Sequence, residues 1–142
     1  MIPDDVISYL ESVADAHTEW ARKHAAKSLE HLADNGIAPE SDLAQLYARF
    51  GWSFRTREPR YELLAPDEIS EWTSYAHDEL NVPQKFMALT SNEGQGIILL
   101  DRDNDTVFDV EYGQFDLLEN ESLSPLSESF ADFLAWYVGT NN

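Results

Sequence analysis

The amino-acid sequence predicts an α+β fold: one domain with a central antiparallel sheet of about four to six strands, flanked by N-terminal, middle and C-terminal helices. Apolar residues recur at helical spacing up to residue 80 and again after residue 127, whereas residues 86–111 read as strands joined by short turns. Strands that are grouped between helices, rather than alternating with them, are typical of an antiparallel sheet. The length of 142 residues suits a single domain over residues 1–142.

Helix boundaries are marked by capping residues and breakers. One long helical pattern opens at Pro3 with two aspartates and stops at Asn35-Gly36. Later helices are expected after Ser41, from Pro66, and from Ser127 or Ser129. The side chains expected to face inward are Leu43, Leu46, Tyr47, Phe50, Ile69, Trp72, Ala76, Leu80, Phe130, Phe133, Leu134 and Tyr137.

Candidate strands lie at residues 61–64, 86–90, 96–100 and 106–111. Gly94-Gln95-Gly96 precedes a strand, whereas a dinucleotide-binding fingerprint follows a strand and opens a helix. We therefore interpret these three residues as a tight turn.

Acidic residues dominate the chain and are unevenly distributed. The formal net charge is −18, with 7 basic and 10 acidic residues in positions 1–60 but 2 basic and 17 acidic residues in positions 61–142. Such a surface repels nucleic acid and anionic membranes and attracts basic proteins. Plain solubility or adaptation to salt would also explain this composition.

The location is expected to be cytoplasmic. The chain has no cysteine, which fits a reducing compartment, and the acidic N-terminus is unlike a secretory signal. No apolar run is long enough to span a membrane.

The run DRDND raises the question of a calcium site. Asp101, Asp103 and Asp105 match the first, third and fifth positions of a calcium-binding EF-hand loop, but Thr106 stands where that loop needs glycine. The flanking segments favour strands, whereas an EF-hand is flanked by helices. A β-hairpin is the favoured interpretation, and it would present these aspartates, with Asp109 and Glu111, to solvent.

No catalytic centre or metal site stands out. His17, His24 and His31 recur every seven residues, so a continuous helix would separate successive rings by about 10.5 Å, too far for one metal ion. These histidines are expected to lie on a solvated face. No nucleophile motif of the G-x-S-x-G type occurs.

A basic-aromatic stretch is the only candidate for nucleic-acid binding. Trp52 and Phe54 lie beside Arg55, Arg57 and Arg60, but the strongly negative background opposes that role.

The order of elements resembles the SUKH superfamily, the Smi/Knr-type domain of fungal regulators and bacterial immunity proteins. Three pieces match: a strand running into a proline-acidic helix start at 63–72, a group of strands and turns at 86–110, and the S-F-x-x-F-L pattern beginning at Ser129. The resemblance covers residues 41–138, and residues 1–35 form an N-terminal helical extension beyond it. The family's leucine-proline entry and paired glycines are replaced by PESDLAQLYARFGW, which leaves the class of toxin open.

The resemblance implies a domain that works by binding, without catalysis, metal or cofactor. Its bacterial members neutralise toxins, many of them nucleases, by docking onto them. We therefore expect a monomer or weak dimer that binds a basic protein, a nuclease toxin in the favoured case. The alternatives are a regulatory or scaffold domain with an endogenous partner, and a hydrolase that uses two carboxylates with different pKa values. The expected partner-binding residues are Asp101, Asp103, Asp105, Asp109, Glu111, Asp116, Glu119 and Glu121.

Overall fold

Seven α-helices and three β-strands make up the part of the chain that this computed structural model describes, which is residues 1–58, 61–91 and 96–140. The chain is α+β. In order, the elements are α1 (Asp4–Ser12), α2 (Ala16–Lys23), α3 (Ala25–Asp34), α4 (Asp42–Arg49), α5 (Pro66–Glu79), β1 (Phe86–Ala88), β2 (Gly96–Asp101), β3 (Val107–Glu111), α6 (Phe115–Glu119) and α7 (Phe130–Val138).

The N-terminal region is three short helices, so the prediction of one long helix was wrong. The first break is made by Asp15, whose carboxylate accepts hydrogen bonds from the N–H groups of His17 and Thr18. The Thr18 hydroxyl in turn accepts from the Asp15 N–H, which completes a capping box and starts a new helix. The second break is at His24, which ends α2 and precedes α3.

The strands form an antiparallel sheet in the order β1-β2-β3. All six residues of β2 are buried, because this strand is paired on both edges and covered on both faces. The register places Leu100 opposite Val107 next to the turn, and Gly96 opposite Glu111 at the other end of the hairpin. A Cβ on Gly96 would lie 2.1 Å from the carbonyl oxygen of Val110, so the close approach of β3 requires glycine there.

The described sheet has fewer strands than the four to six that were predicted. The candidate strand at 61–64 makes a single antiparallel bridge, between Leu63 and Thr90, and residue Ser127 makes another with Val107. Both segments end early because helices begin close behind them. Pro66 is the first residue of α5, and Ser129 caps α7. The turn predicted at Gly94-Gln95 lies outside the described residues.

The later helices begin and face inward as the sequence predicts. Ser41 caps α4 through the N–H of Ala44, and Ser129 caps α7 through the N–H of Asp132. Helix α5 packs on β1, while α7 packs on α1 and α4. The expected inward residues that are buried are Leu43, Leu46, Tyr47, Phe50, Ile69, Ala76, Phe130, Phe133, Leu134 and Tyr137, with Trp72 and Leu80 partly buried.

Candidate partner-binding surface

Asp101 is buried, with 3% of its surface exposed, so the prediction that it faces solvent was wrong. Its Oδ1 accepts hydrogen bonds from the N–H groups of Asp103 (2.9 Å) and Asn104 (3.2 Å). Its Oδ2 accepts from the Asn104 side-chain amide at 3.2 Å and lies 3.3 Å from Nζ of Lys85. The carboxylate therefore organises the β2–β3 turn, and neither oxygen is free for a partner.

The protonation state of Asp101 follows from these contacts. Burial by itself would raise the pKa of the carboxyl group, but the hydrogen bonds from Asp103 and Asn104 and the ammonium of Lys85 outweigh it. The pKa lies below its usual value, so the group is ionised at neutral pH. Because four donors already surround it, Asp101 is a poor first ligand for the calcium loop that DRDND suggests.

Asp105 has a partly structural role as well. Its Oδ2 accepts a hydrogen bond from the N–H of Phe130 at 3.2 Å, which ties the hairpin turn to the first residue of α7. Partial burial raises the pKa of the Asp105 carboxyl group, and the carboxylate of Asp42 raises it further. The hydrogen bond from Phe130 and the N-terminal ammonium oppose this rise. Asp105 remains on the exposed surface, with its backbone in the left-handed region.

Asp109 is half-buried on β3 and accepts a hydrogen bond from the hydroxyl of Tyr61 at 2.9 Å. The five remaining predicted residues are exposed: Asp103, Glu111, Asp116, Glu119 and Glu121. The exposed set therefore runs from the β2–β3 turn, along the end of β3, and onto α6.

The two basic residues of positions 61–142, Lys85 and Arg102, are engaged in internal contacts. No Lys or Arg follows Arg102 in the sequence. The guanidinium of Arg102 donates hydrogen bonds to the backbone carbonyl oxygens of Lys85, Asn35 and Gln84. Lys85 pairs with the buried Asp101. Within the described ranges, none of the five exposed carboxylates forms an ion pair, so their charge acts on the surroundings uncompensated.

A pocket of about 190 Å³ brings two parts of this region together. Asp101, Asn104 and Thr106 line it from the β2–β3 turn, and Glu121 lines it from the segment after α6. Glu111 is at the other end of the hairpin, about 13 Å away along β3 at the usual rise per residue. Of the predicted acidic residues, Asp101 and Glu121 therefore meet at the pocket, whereas Glu111 lies at the far end of the hairpin.

Glu121 has an unusual backbone conformation for its residue type. Its φ is +57°, and it follows the last turn of α6. The N–H of Ser122 bonds to the carbonyl of Leu117, and the N–H of Glu121 bonds to that of Leu118. This is the Schellman pattern of helix termination, in which the left-handed position is usually glycine.

The three histidines do not share one solvated face, because His24 is exposed whereas His17 and His31 are partly buried. Nε2 of His17 accepts hydrogen bonds from the backbone N–H groups of Trp52 (3.2 Å) and Ser53 (3.3 Å), and thereby holds the segment after α4 against α2. The ring of His24 stacks on Trp20, with 4.3 Å between centroids. The seven-residue spacing gave no signal of this structural role of His17, and it did not show that the helical pattern breaks at His24 itself.

The basic-aromatic stretch uses its aromatic rings for packing. Trp52 stacks on the buried ring of Tyr47, and Phe54 packs edge-on against Tyr137. The backbone N–H of Arg57 donates to the carbonyl of Tyr137. Arg60 lies outside the described residues. These contacts give the two rings a role in the core and do not require a nucleic-acid ligand.

Comparisons with known proteins found no matching family model, curated protein or solved structure. Among the residues that the structure describes, no three His, Asp or Glu side chains are grouped so that they could hold a metal ion. None of the described helices combines the length and the apolar character needed to cross a membrane.

Proposed function

We propose that this protein is a non-enzymatic, SUKH-like immunity protein that binds and blocks a basic protein toxin, with a nuclease effector as the expected class. One observation carries the proposal. Among the described residues, the exposed carboxylates of Asp103, Glu111, Asp116, Glu119 and Glu121 form no ion pair, and Lys85 and Arg102, the basic residues of the C-terminal part, are engaged in internal contacts. A protein gains nothing in stability from such a concentration of like charge, which repels itself.

A basic partner would relieve this repulsion. Nucleases that act on phosphodiesters present cationic surfaces to the phosphate backbone, and a surface of carboxylates can occupy the same site. Electrostatic attraction between the two proteins would raise the association rate toward ~10⁸–10⁹ M⁻¹s⁻¹ at low ionic strength. Fast association suits an inhibitor that must bind its target before the target acts.

The test uses the product of the neighbouring reading frame as the first candidate partner, co-expressed and purified with this protein. Association is followed by stopped-flow fluorescence over a range of salt concentrations. Reversing three exposed acids that make no side-chain hydrogen bond in the described structure, Asp103→Lys, Asp116→Lys and Glu119→Lys together, should slow association about tenfold or more and flatten its salt dependence.

A matched triple variant controls for total charge. Glu30→Lys, Asp34→Lys and Glu40→Lys change the net charge by the same amount, but these exposed residues lie on α3 and in the segment between α3 and α4. The association rate of this control variant should fall much less than that of the first triple variant. Equal slowing by the two triple variants would mean that only the total charge matters and would remove the proposed surface. An endogenous partner that is not a toxin would favour the regulatory or scaffold function instead.

A further inference from the structure

The pocket beside the acidic turn is lined about equally by apolar and polar surface, and its apolar part comes from five side chains. Phe86, Phe108, Leu117, Leu118 and Leu123 line it, and the two phenylalanine rings meet edge to face with 5.6 Å between their centroids. Its volume of about 190 Å³ exceeds the roughly 150 Å³ of an apolar cavity that accommodates benzene. The pocket can therefore accept a short aliphatic chain or a flat group of that size.

The charged groups of the pocket leave a single carboxylate for a ligand. Lys85 and Asp101 neutralise each other in the pocket wall, and the Lys85 ammonium also lies 5.3 Å from the centre of the Phe86 ring. Glu121 is exposed and, among the described residues, forms no ion pair. A complementary ligand would combine an apolar stem with a cationic head.

The backbone at Glu121 provides independent support. A left-handed helix end favours glycine, and a side chain there lowers stability. The other two non-glycine residues with positive φ, Asn81 and Asp105, are of the types that tolerate this conformation best. Glutamate is not, so its presence at the pocket is better explained by its carboxylate than by local folding.

We infer that the pocket receives an arginine side chain of the protein partner, with the methylene stem against Leu117 and Leu123 and the guanidinium directed to the carboxylate of Glu121. This inference rests on the proposed function and specifies the chemistry of its contact. Arginine fits better than lysine because its planar guanidinium stacks on aromatic rings and pairs with carboxylates through two hydrogen bonds.

The test titrates the ¹⁵N-labelled protein with n-butylguanidinium chloride, a mimic of the arginine side chain, and follows the amide signals by NMR. We expect saturable shifts centred on Phe108, Leu117 and Leu123, with a dissociation constant in the millimolar range, ~1–10 mM for so small a ligand. Unsubstituted guanidinium, which lacks the apolar stem, should bind more weakly.

Two variants and one control locate the binding. Glu121→Gln should weaken binding of the probe about threefold, as expected for loss of an exposed charge pair, and Leu123→Ala should weaken it through loss of the apolar wall. Glu30→Gln, which removes an exposed charge on α3, should bind the probe like the wild type. Thermal melts of each variant verify that the fold is retained.

Non-saturating shifts spread over all acidic residues, or equal affinities in Glu121→Gln and Glu30→Gln, would overturn the inference. That result would leave the proposed function standing, because the triple-variant kinetics test the acidic surface without reference to the pocket. Conversely, specific binding of the probe together with equal slowing by the two triple variants would support the pocket and contradict the acidic docking surface.

Discussion

Replacing Glu121 with glycine should stabilise the protein, although most substitutions of a native residue destabilise. The reason is the left-handed backbone after α6, where Glu121 has a φ of +57°. The two hydrogen bonds that terminate the helix are backbone bonds, from the N–H groups of Glu121 and Ser122, and do not involve the glutamate side chain. They are therefore retained when that side chain is removed.

The magnitude follows from two opposing contributions. An L-residue in the left-handed region costs about 1–2 kcal/mol relative to its preferred conformations, and glycine removes this penalty. Glycine also gives the unfolded chain more freedom, which lowers stability by about 0.4–1 kcal/mol. The net effect of Glu121→Gly is an increase of about 0.5–1 kcal/mol in the free energy of unfolding. For a domain of this length the corresponding rise in Tm is about 2–5 °C.

Urea unfolding followed by tryptophan fluorescence and circular dichroism measures this change. Two variants separate its causes. Glu121→Ala removes the carboxylate but keeps a Cβ in the left-handed conformation, so it should gain much less. Glu119→Gly makes the same substitution in the last turn of α6, where the backbone is helical, and should lower stability by up to about 1 kcal/mol.

A Glu121→Gly variant that is less stable than the wild type, or equal effects of glycine at positions 119 and 121, would contradict a backbone penalty at Glu121. If Glu121→Gly is more stable and also binds n-butylguanidinium more weakly, Glu121 lowers stability but contributes to binding, as is common for residues at functional sites.

Three further predictions concern contacts that stabilise the fold. His17→Leu leaves two backbone N–H groups without their acceptor and should lower the free energy of unfolding by about 1–2 kcal/mol. The control His31→Leu should change the free energy of unfolding by less than about 0.5 kcal/mol in the same urea assay. Gly96→Ala would place a Cβ 2.1 Å from a backbone oxygen of β3 and should cost about 2–3 kcal/mol. Gly113→Ala should cost about 1–2 kcal/mol, because the space around the Cβ is open but the φ of +94° strains any side chain there. Unfolding curves of the two variants compare these costs. The pKa of Asp101 is lowered in the folded state, so the unfolded chain takes up the proton first as the pH falls. The ionised group therefore stabilises the fold above its ordinary pKa of 3.8, and this stability is lost as the pH falls below that value. The difference in unfolding free energy between the wild type and Asp101→Asn should therefore shrink below about pH 4, and a difference that is constant with pH would contradict this assignment.

Local signals were sufficient for the helices in the middle and at the end of the chain. Ser41, Pro66 and Ser129 are helix-start residues whose preference depends on their own backbone and a neighbour within three positions. The apolar spacing that follows each of them selects the buried face. Such short-range patterns can be read without knowing the partners across the core.

Three of the expectations that failed depended on contacts that are distant or alternative. The N-terminal apolar pattern continues through Asp15, but its side chain caps a new helix there and ends the previous one. The number of strands depends on how many residues of each edge segment pair with the sheet. In the segment 61–64, only Leu63 forms a bridge, with Thr90. In the sequence, Asp101 and Asp103 are both aspartates of the same acidic run and cannot be told apart. Asp101 is nevertheless buried, because Lys85 and the residues of its own turn supply donors to its carboxylate.

By itself, the sequence determined the α+β class, the caps and inward faces of α4, α5 and α7, and the excess of negative charge after Arg102, because these follow from residue type and short-range spacing. Only the tertiary structure decided which carboxylates are available to a partner. It buries Asp101, ties Asp105 to α7, engages both C-terminal cations and brings Glu121 to an apolar pocket beside the hairpin turn. The physical reason is that the free energy of a charge depends on the donors and cations folded around it, and these come from elements far apart in the chain.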